Sequence, residues 1–186
     1  MKLTVPTILT LFRIILIPVF VVIFYWPAPW ANVAAAAIYT IASITDWIDG
    51  YLARMLNQES SFGAFLDPVA DKLMVVVAIV LLVEANPSPW IAIPSIIIIS
   101  REITVSALRE WMAELGSRAT VKVSGVGKAK TVAQLLSLIL LIYHEPLIGL
   151  PIYQIGLGLY YLAAFLTLYS MMIYLKAAWP VMIRHG

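Results

Sequence analysis

The stretch TDWIDGYLARMLNQESSFGAFLDPVADK, Thr45 to Lys72, holds every aspartate of the chain: Asp46, Asp49, Asp67 and Asp71. Around it the sequence is mostly apolar. Of 186 residues, 62% are hydrophobic and 12% charged, and mean hydropathy is +0.96. A soluble domain carries about 25% charged residues. This chain has too few polar groups to cover a water-facing surface, so lipid is the expected solvent. Four carboxylates gathered in such a chain need a reason.

Working outward, six apolar segments follow one another: Pro6–Trp26, Trp30–Asn57, Phe62–Glu84, Pro89–Trp111, Val126–Tyr143 and Ile152–Lys176. A bilayer span takes roughly 20 residues. Turn formers separate the segments: Pro27 and Pro29, then Asn86, Pro87 and Pro89, then Pro146, Gly149 and Pro151. The expected fold is therefore all-α, a polytopic bundle of six transmembrane helices forming one domain over residues 1–186. The connections near 27–30, 85–89 and 144–151 lack Lys and Arg. The alternate ends carry Lys2, Arg54, Arg118, Lys122, Lys128, Lys176 and Arg184. Basic residues collect on the cytoplasmic side, so both termini are expected there. Trp26, Trp30 and Trp90 fall at the other interface, where aromatic belts form. No removable signal peptide is expected, because the first apolar run lacks a small-residue cleavage site with a polar sequel.

Composition also excludes. With no cysteine, neither a disulfide framework nor a thiolate metal site is available. A net charge of +2 and no soluble basic face give nucleic acid nothing to bind.

Ionisable side chains inside a membrane are costly and mark functional sites by default. At 1.5 Å per residue, Asp46 lies roughly 16 Å from the cytoplasmic end of the second span and Asp71 roughly 13 Å into the third. Arg13 lies about 10 Å into the first and Arg101 about 15 Å from the cytoplasmic end of the fourth. Asp46, Asp49, Gly50 and Ala53 follow the i, i+3, i+4, i+7 pattern of one helical face; Asp67 and Asp71 are i, i+4. Hard oxygen ligands of this kind suit Mg²⁺, Mn²⁺ or Ca²⁺. Gly50, Ala53 and Gly63 leave room for a ligand beside the backbone, and Arg54 can pair with a phosphate. The bland alternatives are close helix packing at Gly50 and Ala53, and a structural ion pair of a single aspartate with Lys72 or Arg101. Four aspartates in phase point instead to convergence.

The pattern Asp46-x2-Asp49-Gly50-x2-Ala53-Arg54-x8-Gly63-x3-Asp67-x3-Asp71 resembles the complete signature of the CDP-alcohol phosphotransferases, with all eight fixed positions present. The resemblance spans the whole chain, and the six-helix plan agrees with it. Pro6-Thr7-Ile8-Leu9-Thr10-Leu11-Phe12-Arg13 is similar to the family's opening segment, with Thr7 where the family usually has Asn. Ser100-Arg101-Glu102-Ile103, Ala107-Leu108-Arg109-Glu110-Trp111 and Gly127-Lys128-Ala129-Lys130-Thr131 resemble bacterial members that use glycerol 3-phosphate as acceptor.

The resemblance implies phosphatidyl transfer from CDP-diacylglycerol to sn-glycerol 3-phosphate, releasing CMP, in the bacterial cytoplasmic membrane with the active site facing the cytoplasm. It implies Mg²⁺ or Mn²⁺, two ions, held by Asp46, Asp49, Asp67 and Asp71, with Asp71 also the general base. The CDP-diacylglycerol nucleotide would lie over Gly50, Ala53 and Gly63, with Arg54 on its phosphates and Thr7, Thr10 and Ser60 in the same pocket. Arg101, Arg109 and Lys128 are expected on the phosphate of glycerol 3-phosphate, with Lys122, Lys130 and Arg118 behind them. For Arg101 the alternative is a pair with Glu102 or Glu84. A homodimer in membrane lipid is implied as well.

Rival readings are a different acceptor (serine, inositol phosphate or phosphatidylglycerol), a prenyltransferase, and a cation transporter. A prenyltransferase needs two aspartate-rich motifs far apart, and a transporter of this kind calls for inverted repeats or broken helices. The sequence has neither.

Overall fold

The structure is a computed structural model and describes residues 5–56, 61–115 and 125–185. It is all-helical: α1 (Val5–Phe24), α2 (Ala31–Leu56), α3 (Ser61–Ala85), α4 (Pro89–Glu114), α5 (Gly125–Tyr143) and α6 (Ile152–His185). Four of these, α1, α2, α4 and α6, contain a stretch long and apolar enough to cross a membrane. The other two carry charges close together, Asp67, Asp71 and Lys72 in α3 and Lys128 and Lys130 in α5, and α3 has a further charge, Glu84, near its end.

Helix limits follow local chemistry. α4 begins where Ser88, in extended conformation, accepts a hydrogen bond from the Trp90 amide at 3.2 Å. Pro89 follows at the first helical position, where a missing N–H costs nothing. α5 ends with His144 at φ 63°, its amide bonded to the Leu140 carbonyl at 3.0 Å, a left-handed C-terminal stop. Gly149 (φ 76°) then helps the chain reverse between Leu147 and Leu150. α6 runs nine residues past Lys176, where its apolar stretch ends. A charge marks where a helix leaves lipid; it does not interrupt backbone hydrogen bonding.

α2 is the most polar-looking span, yet its hydroxyls are satisfied within the helix. Thr40 donates to the Ala36 carbonyl, Ser43 to Tyr39 and Thr45 to Ile41, at 2.7, 2.8 and 2.7 Å. In lipid such groups have no water to turn to.

The chain groups into two compact units. One comprises Met1–Ala85 with Leu138–Tyr153, the other Asn86–Ser137 with Gln154–Gly186. In the first, α1 packs against both α2 and α3. Its buried face carries Thr7, Thr10, Arg13 and Phe20. Phe20 stacks obliquely on Tyr39 with ring centroids 6.1 Å apart. α2 answers with Ala31, Ala35, Ala36 and Ala42, all buried. Small residues let backbones approach closely where no hydrophobic effect drives association. In the second unit, Ser95 of α4 and Tyr160 of α6 share a buried hydrogen bond of 2.8 Å. Ser95 spends its own proton on the Ile91 carbonyl, so Tyr160 is the donor. An interhelical bond of this kind contributes about 0.6–2 kcal/mol in a membrane.

Candidate active site

Because α1 touches both α2 and α3, one α1 side chain can reach both. That side chain is Arg13, which is 1% exposed. Its Nη1 lies 2.9 Å from Asp46 Oδ1 on α2 and 3.7 Å from Asp67 Oδ1 on α3, and it also bonds Asp71 Oδ1 on α3. The i, i+4 spacing of Asp67 and Asp71 puts both on the α3 face that meets it.

The three carboxylates each offer one oxygen within 4.8 Å of the others. At that separation two unit charges repel by roughly 3.5 kcal/mol at an effective dielectric of about 20. One guanidinium offsets part of this, and one negative charge more than a single divalent ion carries is present before Arg13 is counted. The geometry suits a metal. Oxygens about 2.0–2.6 Å from one ion lie at most about 4–5 Å apart, so the three stand near the spacing of a single coordination sphere. Asp67 Oδ1 is buried and has no hydrogen-bond partner, which leaves a lone pair available. The donor set is all hard oxygen, as Mg²⁺ or Mn²⁺ requires.

The expected site residues fare differently. Asp46, Asp67 and Asp71 are brought together. Asp49, Gly50, Ala53 and Arg54 lie on the described backbone of α2, but their side chains fall outside the described ones. Ser60, Arg118 and Lys122 lie outside the described residues altogether. Thr7 and Thr10 are buried on the α1 face that carries Arg13. Gly63 sits in the first turn of α3. The partner considered for a lone aspartate, Lys72, is exposed; the neutralising cation is Arg13, whose depth the sequence indicated but whose partners it did not.

The second unit holds a cluster of the opposite sign. Arg101 of α4, 8% exposed, bonds Glu102 at 3.0 Å and Ser170 Oγ of α6 at 3.3 Å. Lys130 of α5 bonds the same Glu102 oxygen at 2.5 Å. Arg109 donates to Tyr174 Oη at 2.9 Å. The guanidinium carbons of Arg101 and Arg109 lie 5.8 and 5.2 Å from the Tyr174 ring centroid, within cation–π range. Arg101 thus pairs with Glu102, while Glu84 lies 3.4 Å from the Tyr25 hydroxyl. Arg101 Nε remains buried without a hydrogen-bond partner. Lys128 is exposed, and Lys130, two residues on, is the lysine in the cluster. Ser170 and Tyr174 were not anticipated. Their i, i+4 spacing in the sixth span was readable, but hydroxyls in apolar helices are too common to single them out.

Half-buried carboxylates that converge on one point from two helices, in an apolar all-helical chain, are the kind of site by which a membrane enzyme holds a metal ion. The chain belongs to the CDP-alcohol phosphatidyltransferase family, whose sequence profile matches residues 3–182. It is 52% identical over 178 residues to a protein of Escherichia coli (strain K12) named CDP-diacylglycerol–glycerol-3-phosphate 3-phosphatidyltransferase, covering 96% of each chain. Relatives of the same name from Salmonella typhimurium (strain LT2) and Shigella flexneri are 53% and 52% identical, with the same coverage.

Proposed function

We propose that this chain transfers the phosphatidyl group of CDP-diacylglycerol to the C1 hydroxyl of sn-glycerol 3-phosphate, giving phosphatidylglycerophosphate and CMP. The observation that carries this reading is the convergence of Asp46, Asp67 and Asp71; the names of the close relatives supply the substrates. In the step, the acceptor oxygen bonds to the β-phosphorus, the bond from that phosphorus to the CMP oxygen breaks, and the acceptor proton goes to Asp71.

Asp46, Asp49, Asp67 and Asp71 would hold Mg²⁺ or Mn²⁺, two ions in this reading, which neutralise charge on the diphosphate and on departing CMP. Asp71 then has two duties, ligand and base. Arg54 would meet the nucleotide phosphates, with Gly50, Ala53 and Gly63 leaving space for it and Thr7, Thr10 and Ser60 lining the same pocket. Both acyl chains can stay in lipid throughout.

The acceptor reading rests on charge. Arg101 and Lys130 pair with one carboxylate, Glu102, and Arg109 shares Tyr174 with Arg101, so this cluster carries a surplus of two positive charges among the described residues. A phosphate monoester of charge about −1.5 to −2 matches that surplus, and the unpartnered Arg101 Nε–H is a donor in waiting. Serine brings no such charge. Lys128 stays in the proposal as an outer cation.

The Lys and Arg distribution supports six spans in one domain, with both termini and the active site on the cytoplasmic side of the bacterial inner membrane. The family resemblance supports a homodimer. The deciding experiment is an acceptor panel on purified protein with CDP-diacylglycerol and Mg²⁺ or Mn²⁺. Labelled glycerol 3-phosphate should be the one converted; conversion of serine, inositol phosphate or phosphatidylglycerol in its place overturns the assignment.

A further inference from the structure

We infer that Arg13 is a resident counter-cation of the aspartate cluster, a positioning residue that holds the metal-free site together and contends with the metal for the same oxygens. The inference rests on reading Asp46, Asp67 and Asp71 as metal ligands.

The geometry is specific. One nitrogen, Nη1, lies within 4.0 Å of Oδ1 of all three aspartates. An ion bound to those oxygens must sit at about 2.0–2.6 Å from each. The space near all three oxygens is where the guanidinium nitrogen already is. Two cations cannot share it, for steric reasons and because like charges that close repel. Metal binding and the present Arg13 pairing are therefore alternatives.

Arg13 also has no cheap way out. It is 1% exposed and sits in the middle of α1, on the face packed against α2 and α3. A guanidinium that loses its carboxylates there must find another anion or leave the packed face. Removing its charge should have two effects of opposite sign. Without metal, α2 and α3 lose the cation that holds their carboxylates together. With metal, the ion meets no competitor. A residue that serves only packing would weaken both states, and a residue that merely attracts substrate would change neither.

The test compares wild type, Arg13→Gln and Arg13→Lys in detergent, using Mn²⁺ alone. Saturable Mn²⁺ binding is read by electron paramagnetic resonance, and melting temperature is read in chelator. Arg13→Gln should melt several degrees lower in chelator, yet bind Mn²⁺ at least about fivefold tighter than wild type. Arg13→Lys, with a single-pronged ammonium on a different stem, should move both properties the same way by less. Unchanged melting of Arg13→Gln in chelator, or Mn²⁺ binding no tighter than wild type, overturns the inference. If Arg13→Gln cannot be obtained folded, Arg13→Lys decides by sign: tighter Mn²⁺ binding supports it, equal or weaker binding overturns it. Absence of saturable Mn²⁺ binding to the wild type sinks the metal-site reading itself. Saturable wild-type binding with no gain in either variant sinks only the role of Arg13.

Discussion

The two charged clusters of this protein are near mirror images. In the first unit, three aspartates meet one arginine, leaving a surplus of two negative charges among the described residues. In the second, Arg101 and Lys130 meet one glutamate and Arg109 joins them at Tyr174, leaving a surplus of two positive charges among the described residues. Among the described residues, each cluster is only one-third neutralised by its own side chains. A purely structural ion pair in an apolar helix bundle would be closed, because an unpaired charge away from water is expensive. The comparison teaches that the two units carry surplus charge of opposite sign, the pattern that the proposed function assigns to a divalent cation in one and a phosphate in the other.

The strongest way to break the comparison is to remove the divalent ion. Chelation should reduce transfer to background, with Mg²⁺ or Mn²⁺ restoring it in an assay of CMP release. Asp71→Asn comes next. Loss of a base contributes about 10²–10⁴-fold, and Asp71 is proposed as a ligand as well, so turnover should fall by about 10³-fold or more while CDP-diacylglycerol still binds in an equilibrium assay. Arg101→Ala tests the opposite cluster. A hydrogen bond to a charged group contributes about 1.5–3 kcal/mol, so KM for glycerol 3-phosphate should rise roughly 10- to 100-fold, with kcat much less affected. A fall in kcat at constant KM would erase the distinction between the clusters.

A finer test sets Lys130→Ala against Lys128→Ala. Buried, paired Lys130 should raise that KM by about tenfold or more when truncated, and exposed Lys128 by only a few-fold, since exposed charges contribute about 0–1 kcal/mol. The smallest effect belongs to a neutral control in the same unit. Tyr160→Phe removes the bond to Ser95 and should cost about 1 kcal/mol of stability, read as a small drop in melting temperature with both kinetic constants unchanged.

Much of this architecture was legible in the sequence. Prolines at 27, 29, 87 and 89 marked the turns, and the helices begin and end within a few residues of them. That Asp67 and Asp71 share a face followed from helical phase, because i, i+4 spacing fixes a face whatever the partner; that Asp46 joins them depends on α1 packing against both α2 and α3. What stayed hidden required knowing which helix lies against which. Arg13 was visible as a buried charge, but its partners depend on α1 packing against both α2 and α3. Lys130 and Lys128 differ by two residues on one helix, so only the placement of Glu102 separates them. Tyr174 became informative once both Arg101 and Arg109 were found against its ring. For α6, Lys176 marked a change of solvent, and the helix simply continued through it.

The Arg13 contact also bears on how the chain is made. Synthesis delivers α1 first, so Arg13 enters the bilayer before Asp46, Asp67 or Asp71 exists. An arginine at the centre of an inserting helix is unfavourable by about 2.5–3.5 kcal/mol. The arrival of α2 with Asp46, then of α3 with Asp67 and Asp71, relieves that penalty in two instalments. The ion pairs that meet in the finished protein therefore also give the first three helices a reason to find one another during biogenesis.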